Sequence, residues 1–228
     1  MLQFVRFAKS IYWHTPNTMY EREPVNVFDY SDEELYRFAT ETGEQLARTS
    51  DGSEAVAIIA AALRRYTIFD LQTIGANIRF EVGKLPEPYR SRYLPYAQDL
   101  LDRYDAFVAR GNGHPVISDV ELWKSYWNVG IAAIFSCEPV KDDPRPALTS
   151  AAGKLFYRLV YGYTMLIAGK PGHPIGMPFP GGWSVTEENG VIYCPLRDKE
   201  KDLPHALCNY CPAEQNPDYC ALPQTYAE

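Results

Sequence analysis

A chain of 228 residues, 46% hydrophobic and 22% charged, can bury a sizeable core and has an ordinary globular composition. A formal net charge of −7 argues against a broad electrostatic grip on nucleic acid or anionic membranes. The longest apolar run, residues 55–63, is about half of the 18 or more residues a spanning helix needs, so no membrane segment is expected.

The first 30 residues mix aromatics with turn formers and show no clean period. They predict an extended arm that packs on the body through Tyr12, Trp13, Tyr20 and Phe28. Arg6 and Lys9 interrupt the apolar residues at the start, which argues against a signal peptide and for a cytoplasmic protein with reduced thiols.

The first clear helix starts at Ser31, which makes a capping box with Glu34. Leu35, Phe38, Thr42 and Leu46 fall on one face. Asp51-Gly52 breaks this helix, and Ser53 begins a second through Arg65. That second helix is apolar nearly all round and is expected at the centre of the bundle. Thr67 caps a third, with Asp70 at the positive end of its dipole. Its inward face is Ile68, Leu71, Ile74, Ile78 and Val82, and Gly83, Pro86 and Pro88 end it. A fourth helix is expected over residues 96–110, with Leu100, Leu101, Tyr104, Phe107 and Val108 inward. Ser118 and Glu121 predict a capping box for a fifth, carried on Val120, Trp123, Trp127, Ile131 and Ile134 to Phe135. A sixth, over residues 147–168, carries Leu155, Leu159, Tyr163 and Leu166.

These patterns predict a mainly α multi-helix bundle with a small C-terminal β-hairpin and a Cys-rich tail. The hairpin is WSVTE and VIYC around Glu188-Asn189-Gly190, where Asn-Gly supplies the positive φ angles of a tight turn.

Four of the five cysteines lie close together near the C-terminus, at Cys194, Cys208, Cys211 and Cys220. Cys208-x2-Cys211 lets two sulfurs face one ion, and the end of the hairpin can hold Cys194 as a third ligand. Cys220, the distant Cys137 or His205 could be the fourth. The spacing matches no common zinc finger and lacks the three closely spaced cysteines of bacterial ferredoxins. A bound metal, zinc ahead of an iron–sulfur cluster, is the leading reading. A redox dithiol and ordinary buried cysteines are the alternatives.

The loop GHPIGMPFPGG is the second feature. It is either a rigid ligand-binding loop, with His173 as acid, base or ligand, or a structural crossing from bundle to hairpin. It lacks the context of a dinucleotide site or a P-loop. Trp123, Tyr126 and Trp127 are read as core rather than as a cofactor platform. The charged pairs Arg79/Glu81 and Arg90/Arg92 are read as an exposed helix face with ion pairs.

Three segments carry a family resemblance: TIFDLQTIGANIRFEVGKLPEPYRSRYL at 67–94, KPGHPIGMPFPGG at 170–182, and NGVIYCPLRDKEKDLPHALCNYCPAEQNP at 189–217. In these the chain resembles conserved hypothetical proteins of methanogenic archaea, catalogued as a domain of unknown function. The resemblance implies an archaeal protein in which Cys194, Cys208 and Cys211 act as one unit. It implies nothing for Cys220 and makes residues 1–50 an addition to the family core. With residues 51–228 as the helical core, hairpin and Cys cluster, the whole chain is expected to form one compact domain. An anaerobic methanogen setting raises the iron–sulfur alternative against zinc. No activity is attached to the family, so enzyme status, protein partners and homo-oligomer formation stay open. The two competing expectations are a structural zinc site, with the Pro/Gly loop free to bind a ligand or partner, and an iron–sulfur or dithiol redox protein using His173.

Overall fold

Helix α1, Asp32–Arg48, begins at the capping box its sequence requires. The Glu34 amide donates to Ser31 Oγ, and the Glu34 carboxylate accepts from the Ser31 amide at 2.9 Å. The computed structural model describes residues 26–110, 113–136 and 150–219. The expected arm residues Tyr12, Trp13 and Tyr20 therefore lie outside the described residues, as do Cys137 and Cys220. Phe28 is half-buried against the core. Leu35, Phe38, Thr42 and Leu46 all face inward on α1.

Asp51 caps α2, Gly52–Leu63, rather than only ending α1: its carboxylate accepts from the amides of Ser53 and Glu54 at 2.7 and 3.1 Å. Gly52 is required here, because a Cβ would run into the Pro115 carbonyl of the segment leading to the fifth long helix.

Helix α3, Ile68–Gly83, also opens on a full capping box, Thr67 with Asp70. Asp70 is 1% exposed and takes the inward position that the apolar pattern gave to Ile68, which is 62% exposed. The reason is hydrogen bonding. One Asp70 carboxylate accepts from the Thr67 amide (2.6 Å), the Thr67 hydroxyl (3.0 Å) and the amides of Val27 (3.3 Å) and Phe28 (3.4 Å). Replacing Asp70 with alanine orphans the three amides, while the Thr67 hydroxyl keeps Asn26 Oδ1 at 2.6 Å, and a loss of about 2–3 kcal/mol is expected in urea denaturation. An unchanged midpoint would show that the Val27–Asp29 turn is not held by this carboxylate.

The expected fourth helix is divided. A single turn, α4 (Tyr89–Tyr93), and a 3-10 turn at Leu94–Tyr96 precede α5, Asp99–Val108. Pro95 sits in the 3-10 turn, and α5 begins where Asp99 can pair with Arg103 one turn on, at 2.6 Å. Val108, expected inward, is 54% exposed. Helix α6, Val120–Ser136, is capped by Asp119 and not by Ser118: the Leu122 amide donates to Asp119 Oδ1 at 2.9 Å. Ser150 caps α7, Ala151–Leu166.

The central helix is α7, not α2. Ala152, Leu155, Phe156, Leu159, Val160 and Met165 bury opposite sides of α7, which touches α1, α2, α5 and α6. On α2, Ala57 and Ala61 remain exposed, because its alanine face has too little surface to recruit a neighbour. Gly162 of α7 lets Trp127 of α6 approach so closely that a Cβ would stand 2.8 Å from the indole. Trp123, Tyr126 and Trp127 are fully buried, as a core stripe.

After α7 the chain forms the expected hairpin, β1 (Thr186–Glu188) antiparallel to β2 (Val191–Cys194). Asn189 and Gly190 have φ of 52° and 81° and make the turn. A third strand that the sequence did not signal, β3 (Glu214–Gln215), pairs parallel to β2. Met177, Phe179, Val185, Cys194 and Ala213 form a second, small core beneath this sheet.

Candidate metal centre

Three separate turns of chain bring the candidate ligands together. Cys194 ends β2 and is buried. Cys208 lies within the 3-10 turn Leu207–Tyr210 and Cys211 just follows it. There the Cys211 amide donates to the Cys208 carbonyl at 3.1 Å, which keeps both side chains on one side of the turn. The segment leaving α7 supplies Gly172 and His173. The Gly172 amide points at Cys211 Sγ at 3.2 Å, and His173 Nδ1 lies 3.7 Å from Cys194 Sγ. The Phe179 ring meets the imidazole edge-on, centroids 5.2 Å apart.

Cys194, Cys208, Cys211 and His173 line one small cavity of about 40 Å³. Tyr157, Tyr161 and Met165 of α7 close one wall, and Arg197 and Leu207 close another. Among the described residues, no group of three or more His, Cys, Asp or Glu side chains is drawn together enough to hold a metal ion as it stands.

The electrostatics suit ligands better than nucleophiles. Burial pushes the Cys194 thiol up to about 11, and the neighbouring Cys211 and Cys208 add to the rise. Burial, with Cys211 and Glu200 nearby, also raises Cys208. Burial holds His173 below the usual histidine range; Arg103 acts in the same direction and Asp99 opposes it. At neutral pH the imidazole is therefore neutral, its lone pair available. Cys194 and Cys208 stay protonated unless a cation displaces the proton, which weighs against either as a low-pKa reactive thiol.

Arg197 brings positive charge to the cavity wall and ties the Cys loop to β3, its Nε donating to the Ala213 carbonyl at 3.0 Å. Behind the opposite wall, the Tyr161 hydroxyl donates to Asp99 at 3.1 Å, and Arg103 pairs with the same carboxylate. Neither Arg197 nor the Tyr157/Tyr161 pair stood out in the sequence. The available signals were the i, i+4 tyrosines on α7 and an arginine three residues after Cys194. His205 does not line the cavity; its carbonyl accepts from the buried Arg158 at 2.9 Å. The charged residues set aside as surface features behave that way: Glu81 pairs with Lys84, and Arg90 with Glu87.

A family model described as "Uncharacterized protein conserved in archaea (DUF2115)" matches residues 51–216, a span that runs from α2 through β3 and contains every cavity-lining residue. A UPF0305 protein of Methanothermobacter thermautotrophicus is 42% identical over 94 residues, which cover 38% of this chain and 61% of that protein. A UPF0305 protein of Methanopyrus kandleri is 38% identical over 64 residues, covering 28% of this chain and 45% of the relative. A more distant UPF0305 protein of Methanocaldococcus jannaschii is 24% identical over 152 residues, covering 65% and 87%. The matched stretch thus spans less than two thirds of the first two relatives' own length. No solved structure matches. Among the described residues, no helix is long and apolar enough to cross a membrane.

Proposed function

The chain belongs to the archaeal DUF2115 family, and we propose that within it Cys194, Cys208 and Cys211 hold a single zinc ion whose work is structural. The observation that carries this reading is the convergence of three sulfurs, from β2 and from the turn before β3, on one cavity of about 40 Å³. That space of about 40 Å³ holds an ion or a few waters, since one water needs roughly 10–15 Å³ in the same measure.

The setting also explains why an ion would be useful. The module after α7 has its own core of only five buried side chains, one of them Cys194. So small a core rarely stabilises a fold alone, and a structural metal is the usual remedy. Zinc would join the hairpin, the Cys208–Cys211 turn and the short parallel pairing of β2 with β3 into one unit braced on α7.

Elemental analysis of protein purified without a metal-binding tag tests the reading, with about one zinc per chain expected. Iron with matching sulfide would replace zinc by a cluster. Metal-free protein that is fully folded would remove the metal reading altogether.

A further inference from the structure

We infer that His173, through Nδ1, is the fourth ligand of the centre, closing a Cys3His coordination sphere; this rests on the zinc reading above. The sequence offered Cys220, Cys137 or His205 as the fourth ligand, because metal-site spacing rules look for donors near the cysteines. The structure brings forward a residue 21 positions before Cys194 instead.

The contact between His173 and Cys194 has the spacing of two ligands on one ion. With zinc–sulfur and zinc–nitrogen bonds of about 2.3 and 2.0–2.1 Å, tetrahedral angles place sulfur and nitrogen roughly 3.6 Å apart. His173 Nδ1 and Cys194 Sγ are 3.7 Å apart. Among the described residues lining the cavity, His173 is the one strong donor besides the three cysteines.

The imidazole is also positioned in advance. The amide just before it donates to Cys211 Sγ, so one backbone segment addresses two of the sulfur ligands. An N–H aimed at sulfur stabilises thiolate over thiol, as outer-shell donors at metal sites do. Phe179, six residues on in sequence, meets the ring edge-on. The donors do not yet stand close enough together to hold an ion, so binding requires them to draw in, a movement the metal itself would drive.

Two consequences follow. With four protein ligands the ion has no open position, which makes it a brace and not a hydrolytic centre. The Pro/Gly loop of residues 172–182 becomes part of the metal module, fastened at His173 to the ion and at Phe179 to the small core.

X-ray absorption at the zinc edge of the wild-type full chain should show three sulfurs and one imidazole nitrogen. Zinc affinity of His173→Gln, read by competition with a chelator, should fall by more than about 100-fold, the upper end of what losing an outer-shell partner costs. His173→Cys should recover zinc binding with a fourth sulfur, and it serves where His173→Gln does not fold. Four sulfurs in the wild type, one of them lost in Cys220→Ser, would overturn the inference and leave the zinc reading intact. So would a nitrogen signal or an affinity unchanged in His173→Gln. Wild-type protein that binds no zinc would sink the reading on which the inference rests.

Discussion

If zinc is held as proposed, replacing Cys208 with serine is expected to lower the stability of the zinc-loaded protein by more than about 4 kcal/mol, a range reached when a metal ligand is lost. At roughly 2–4 °C per kcal/mol for a chain of this length, the melting temperature falls by about 8–16 °C or more. The size follows from what Cys208 holds. It lies in the Leu207–Tyr210 turn, whose Tyr210 ring packs edge-on against Tyr126 of α6 at 5.1 Å. Losing the centre frees that turn, β3 and the β2 end together, so limited proteolysis should cut within residues 195–210 first. A chelator should move the wild-type melting curve toward that of the variant and leave the variant unmoved. Coincident curves for wild type and Cys208→Ser would show that the cysteine bears no structural load.

Gly130→Ala is expected to cost about 3 kcal/mol or more without touching the cavity. Gly130 of α6 lies directly against the Arg158 guanidinium of α7, and a Cβ there would fall on its Nη1, Cζ and Nε atoms. Arg158 is 6% exposed, and among the described residues no carboxylate pairs with it. Its charge is met by carbonyls, from Tyr126 at 3.0 Å and His205 at 2.9 Å, and by the face of the Tyr126 ring at 4.6 Å. Tyr126 returns the contact, its hydroxyl donating to the Arg158 carbonyl at 2.6 Å. An added methyl must shift the buried guanidinium and strain these contacts, and a buried charge that loses partners is among the costliest defects a core can carry. Denaturant melts would show it. The double variant Gly130→Ala, Arg158→Met should recover part of the loss, because the two substitutions act on one contact. A single variant as stable as wild type would mean that α6 and α7 do not approach this closely.

Local chemistry made much of this fold legible. Ser31 with Glu34 and Thr67 with Asp70 are capping boxes because residues three apart meet at a helix start, and nothing distant is needed to predict them. Asn189-Gly190 defined the hairpin in the same way. The failures are non-local or turn on near-equal local choices. Ser118 and Asp119 are both good caps, and packing chose the second. The strand β3 has two residues and exists only because β2 lies beside it. The exchange of Ile68 for Asp70 in the interior depended on amides of Val27 and Phe28, some 40 residues earlier. At the candidate site, Cys194, Cys208 and Cys211 were legible from spacing. The placement of His173 beside them required knowing how the Pro/Gly loop turns back from α7.

The position of α7 also bears on how the molecule comes into being. Helices α2, α5 and α6 all close against it, and it is the last long helix in chain order. At a synthesis rate of about 5–20 residues per second, roughly 5 to 20 seconds separate the completion of α2 from that of α7. For that interval the nascent chain displays apolar surfaces whose partner has not yet been made. The bundle can therefore be completed only once α7 has been made, and β2 and β3, which follow it in the chain, are made later still.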